Sequence, residues 1–181
     1  VYSVQHRLVW EELDGTGMFE LRNSNLFDAP EFAPAYEWMR LQIQQRLGVK
    51  MGDSWPVWGW SRTTRTSLVE SCRLVPGHVL LRLEVPTGAV LESDFGAWHA
   101  TLNGVPLIPP QVDPDTAEWL EWEEEADRLL ASTDIRAIES TWSRMFDVSA
   151  WGRATRTQAA MPALRASWVR SATQIEPARR Q

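Results

Sequence analysis

Cysteine is almost missing from this chain: Cys72 is the only one in 181 residues. A single cysteine excludes an intramolecular disulfide and a thiolate metal cluster, and it fits a reducing compartment. Lysine is as scarce. Lys50 stands alone among 18 basic residues, all the others being arginine. Either GC-rich codon usage or arginine's planar, multidentate hydrogen bonding accounts for that bias. No apolar run approaches the roughly 18 residues that span a bilayer. The opening VYSVQHRLVWEEL lacks the basic n-region and apolar stretch of a secretory signal. These absences predict a cytoplasmic protein with no membrane partner. A net charge of −6 argues against duplex nucleic acid, whose phosphates call for a basic face.

The familiar catalytic signatures are missing as well. There is no phosphate loop of the GxxxxGK(S/T) type and no GxGxxG after a strand, so neither a P-loop enzyme nor a Rossmann enzyme is supported. HExxH and GxSxG are absent, and His6, His78 and His99 are too scattered for a zinc site. His99 lies near Asp94, but five residues is off the same helical face, so the pair lacks the geometry of a base and its orienting acid. Cys72 has no neighbouring base to activate it.

What is present is a normal apolar fraction of 44% and eleven tryptophans, at 10, 38, 55, 58, 60, 98, 119, 122, 142, 151 and 168. Such rings are mostly core, because each buries about 150–250 Å². The length predicts one domain, residues 1–175, with a short tail at 176–181. YSVQ reads as an opening strand and Val9, Trp10 and Leu13 as a helical stripe stopped by Gly15 and Gly17. Asp28 is the expected cap of a longer helix through Phe32, Tyr36, Met39, Ile43 and Leu47, closed by Gly48. WPVWGWSR, residues 55–62, reads as a strand with Trp58 and Trp60 on one face and Val57 and Gly59 on the other.

Residues 78–86 read as a central strand ended by Pro86, with AVLES as its extension. Ser93 and Asp94 offer a cap to a short helix carrying Phe95, Trp98 and Leu102. Asp113 and Pro114 open a second long helix, with Trp119, Trp122, Ala126 and Leu129 as its buried stripe. Its other faces, from Glu121 to Asp127, are acidic and solvated. Ile135, Ile138, Trp142 and Met145 mark a further helix, and two short strands, or a strand and a turn, follow it. This order predicts an α+β fold with small mixed or antiparallel sheets flanked by helices.

Gln5, Arg62 and Gln158 form the candidate site, each on or beside a predicted strand. Amides in a shared cleft can grip ribose hydroxyls and discriminate in a way that apolar walls do not. Trp58 or Trp60 would stack on a nicotinamide or adenine ring, and Arg62 would meet phosphate. The alternative is an interaction module, in which exposed tryptophans and the acidic helix meet a protein partner.

Several blocks carry a family resemblance: YSVQ…VWEELDGTG, FAPAYEWM, WPVWGW, LLRLEVPTGAVLESDFGAWHATLN, STWSRMFDV and RTQAAM. They resemble a small bacterial family of stand-alone domains of unknown function, which implies no established activity. Where that family follows its Gln-Ala pair with an aromatic residue and a Trp-Glu pair, this chain has Met161, Pro162 and Ala163. No role of that glutamate carries over.

The layout also resembles ADP-ribosyltransferase domains, which bind NAD between two small sheets. That likeness implies NAD as substrate, Gln5 on the first strand, Trp58, Trp60 and Arg62 on the second, and Gln158 on the third. An acidic residue supports the oxocarbenium-like ribose in those enzymes; Gln158 brings no charge.

Overall fold

The computed structural model of the chain describes residues 1–22, 30–72, 77–109, 113, 116–132, 134–150 and 156–175. Asp28, Pro114, Trp151 and the expected tail lie outside these. Strand β1 (Tyr2–His6) runs into helix α1 (Arg7–Thr16), capped by the His6 ring and closed by Gly17 at φ 82°. Gly15 lies inside α1, so Gly17 alone ends it. Strand β2 (Met18–Phe19) precedes α2 (Ala33–Leu47), whose Ala35, Trp38, Met39 and Ile43 are buried. Gly48 follows at φ 67°, in the left-handed region that favours glycine.

Strand β3 (Val57–Trp60) comes next, followed by α3 (Arg65–Cys72), β4 (His78–Leu83) and β5 (Leu91–Asp94). Helix α3 occupies a stretch whose sequence shows no apolar period. AVLES is no extension of β4, since β5 pairs with the late strand β6 (Thr157–Met161) instead. Asp94 then caps α4 (Phe95–Leu102), accepting the Ala97 N–H at 2.8 Å.

Helix α5 (Ala117–Ser132) is opened by Thr116, whose Oγ1 accepts the Trp119 N–H at 3.2 Å. None of its residues is buried. Trp119, Trp122, Ala126 and Leu129 do form one stripe, but only half-buried. Helix α6 (Ile135–Trp142) buries Ile138 and Trp142 and leaves Ile135 exposed. Strands β7 (Leu164–Arg165) and β8 (Val169–Gln174) complete the order.

Among the described residues the strands form a six-stranded antiparallel sheet, β5-β6-β3-β1-β4-β8, and a small β2-β7 pair. Cross-strand partners share a face, so the registers sort the side chains. Leu91, Ala160 and Trp58 meet α2, α4 and α6 on one side. Val57, Val79, Leu81, Leu83 and Met161 meet α1 and the β2-β7 pair on the other. The sheet is the middle layer, and Leu68, Leu80 and Ile175, with Tyr2, Val4 and Trp60 against them, form a third cluster beside these two. Each fully buried aliphatic side chain contributes about 1.5–3 kcal/mol.

Gly59 fixes the close approach of β3 to β1. A Cβ there would stand 2.7 Å from Val1 Cγ1 and 2.8 Å from the carbonyl oxygen of Tyr2. The side chain can move; the backbone oxygen sits in the sheet. Gly59→Ala should therefore cost about 1–3 kcal/mol in urea unfolding. An unchanged midpoint would contradict this packing.

Candidate functional site

Strand β1 pairs with β4 over five residues, from Tyr2↔Arg82 to His6↔His78. With β3, its other neighbour, it pairs only at Tyr2↔Trp60. The two central strands therefore part beyond that pair. Side chains bridge the gap. Ser3 Oγ donates to the Trp58 carbonyl at 2.6 Å, and Gln5 Nε2 donates to Ser3 Oγ at 2.7 Å. Pro56, just before β3, has no N–H with which to extend the ladder. Ser3 is wholly buried, and nothing in its sequence context marks it as the strut of this split.

The parting opens a cleft of about 270 Å³. Gln5, Trp58, Trp60 and Gln158 line it together with Val4, Leu21, Pro56, Val57 and Gly59. Four of the five residues picked out in the sequence thus converge. Arg62 does not join them; it sits in an exposed bend two residues beyond Trp60. The register Trp60↔Gln158 places Gln158 beside Trp60 on the face that also carries Trp58. Gln5 belongs to the opposite face with Ser3 and enters through the gap.

Gln158 is only 8% exposed, and its Oε1 has no hydrogen-bond partner among the described residues. The same holds for Trp58 Nε1, and for Oγ of Ser93, the β5 partner of Gln158. A buried polar atom left unpaired costs about 1–3 kcal/mol, and two of the residues lining the cleft carry one. The rings behind this wall are firmly packed. Trp58 lies 4.9 Å from Trp98 and meets Tyr36 edge-on at 6.1 Å, and Trp60 lies 4.9 Å from Phe95.

Other candidates fall elsewhere. His99 is exposed on α4, with Nδ1 2.9 Å from the Phe95 carbonyl oxygen. His6 caps α1. No group of His, Cys, Asp and Glu that could hold a metal occurs among the described residues, and no helix there is long and apolar enough to cross a membrane. A cavity of about 280 Å³ between α5 and α6 is walled by Trp122, with the Arg144 guanidinium stacked 4.7 Å from its ring. Burial lowers the Arg144 pKa. A third hollow, of about 330 Å³ against Trp142, holds one unpartnered hydroxyl, that of Thr101. The sheet cleft holds two such atoms and the amide of Gln5 besides.

Fold and site together define an α+β protein with a mostly apolar cleft, carrying two glutamine amides, in the centre of a split antiparallel sheet. The family described as a domain of unknown function, DUF3841, matches residues 1–113. This chain belongs to that family. The match takes in Gln5, Trp58, Trp60 and Arg62 and stops before Gln158, STWSRMFDV and RTQAAM. No curated protein and no solved structure matches the chain.

Two outcomes follow from the geometry. Ser3→Ala leaves the Trp58 carbonyl only the long 3.5 Å bond from Gln5 Nε2 and removes that amide's nearer partner, which should cost about 1–3 kcal/mol in chemical denaturation; no loss would show that the strut is idle. Burial also pushes the Tyr36 phenol above its ordinary value of 10.0. The folded state then holds that proton more tightly than the unfolded chain does. The resulting stability is complete below the unfolded value and disappears as pH rises through the raised one. Native protein should lose stability in alkali above pH 10, and Tyr36→Phe should lose less. Equal losses would contradict the assignment.

Proposed function

We propose that the cleft between β1 and β3 binds the nicotinamide–ribose end of NAD or a related nucleotide, as an ADP-ribosyltransferase-like domain. The observation that carries this reading is the convergence of Gln5, Trp58, Trp60 and Gln158 on one cleft. The indoles offer flat faces for a heteroaromatic ring. The two amides offer hydrogen bonds to ribose hydroxyls, and Gln158 has an acceptor atom to spare. At about 270 Å³ the space is just below the roughly 300–1,000 Å³ of drug-sized sites, so one end of a dinucleotide enters and the phosphates stay at the mouth. Arg62 is outside the lining and exposed, where a guanidinium can meet phosphate without a buried charge.

Gln158 carries no charge to stabilise a cationic ribose, so the reading commits to binding. Transfer chemistry is not required by it. Calorimetric titration of NAD tests the idea. Wild type should give saturable heat by millimolar NAD, and Gln158→Ala should weaken binding about tenfold, equivalent to about 1.4 kcal/mol. Absence of heat from folded wild type at millimolar NAD would sink the proposal.

A further inference from the structure

Every described residue lining the sheet cleft is uncharged. Among the described residues no lysine, arginine or histidine lines it to neutralise an anion. Its polar groups include two amide oxygens and one unpaired donor, the Trp58 Nε1–H. Gln5 uses its amide N–H on Ser3, which leaves its oxygen as the amide's uncommitted end. Gln158 Oε1 is buried and unpartnered beside Trp60. Indole faces carry the negative side of the ring quadrupole. Against the single Trp58 N–H the lining thus sets two amide oxygens and two indole rings, with no cation among its described residues, inside a molecule whose net charge is −6.

We infer that the cleft selects its ligand by charge, taking a flat heteroaromatic cation of the N-alkylpyridinium type over its neutral isostere and rejecting the anion. The inference rests on the cleft reading above and adds the chemical class that enters. A cation gains attraction from the ring faces and the amide oxygens as it sheds water. A neutral ring gains only the apolar contact. An anion loses its hydration with no protein cation among the described lining residues to replace it. Cation–π attraction of about 0.5–2 kcal/mol corresponds to a preference of about 2–30-fold. Both rings are packed, Trp58 against Trp98 and Tyr36, and Trp60 against Phe95 and the cluster of Leu68, Leu80 and Ile175; Trp60 is the face to test because it pairs with Gln158. Among nicotinamide-bearing nucleotides the rule picks out the oxidised ring, whose pyridinium is positive.

The test is a charge series on one ring system: 1-methylnicotinamide, nicotinamide and nicotinate, titrated into the intact chain with NAD run in parallel. 1-Methylnicotinamide should bind about fivefold or more tighter than nicotinamide, within the range a cation–π contact allows, and nicotinate should give no signal. Trp60→Leu, shown folded by circular dichroism, should bring the cation-to-neutral ratio close to one. Equal or tighter binding of nicotinamide or nicotinate, or no binding of the cation, overturns the inference. If NAD binds without any charge order, this inference falls and the nucleotide cleft stands. If the charge order appears and NAD does not bind, the nucleotide reading falls and the cation site stands.

Discussion

The parting of β1 from β3 is the constraint on which the candidate site depends. An antiparallel sheet normally satisfies its central strands by backbone pairing on both sides. Here β1 is fully laddered to β4 on one side, and beyond Tyr2↔Trp60 it gives its other side to side chains. Ser3 and Gln5 do the bridging, so the Trp58 carbonyl keeps a donor although no strand lies against it. Gly59 keeps the strands in contact at the closed end. The cleft is therefore built into the middle layer of the protein, where the buried clusters on the sheet's faces hold its walls.

That placement explains why the lining tolerates unpaired polar atoms. Gln158 stands between Trp60 on β3 and Ser93 on β5, each locked in register. Its backbone is fixed by two neighbouring strands, so its amide cannot drift to solvent for a partner. Trp58 is held against Trp98 and Tyr36 in the same way. Preorganised groups of this kind lose little conformational freedom when a ligand arrives.

Much of this was legible in the sequence, and the failures have physical causes. Helix α2 showed because Tyr36, Met39, Ile43 and Leu47 repeat at helical spacing and Gly48 closes the helix. The two faces of β3 showed because alternation is local. The convergence of Gln5, Trp58, Trp60 and Gln158 could be guessed from polar and aromatic residues on strands; the pairing of Trp60 with Gln158, almost a hundred residues away, could not be read from either segment. Helix α3 was missed because Leu68 is its only described buried residue, which leaves no stripe to detect. β5 looked like the tail of β4 because a short apolar run does not name its partner. The stripe on α5 was correctly spaced but overrated, since a helix packed at the edge of a fold covers only part of each ring. Arg62 was placed in the cleft by proximity in sequence, and the bend after Trp60 carries it out.

The central claim is that the gap between β1 and β3 is where a ligand sits. A crystal structure of the chain grown with NAD reads this directly. The account predicts ring density between the two strands, against Trp60 and within hydrogen-bond distance of Gln158. Density seated instead between α5 and α6, with the sheet cleft unchanged, would contradict it.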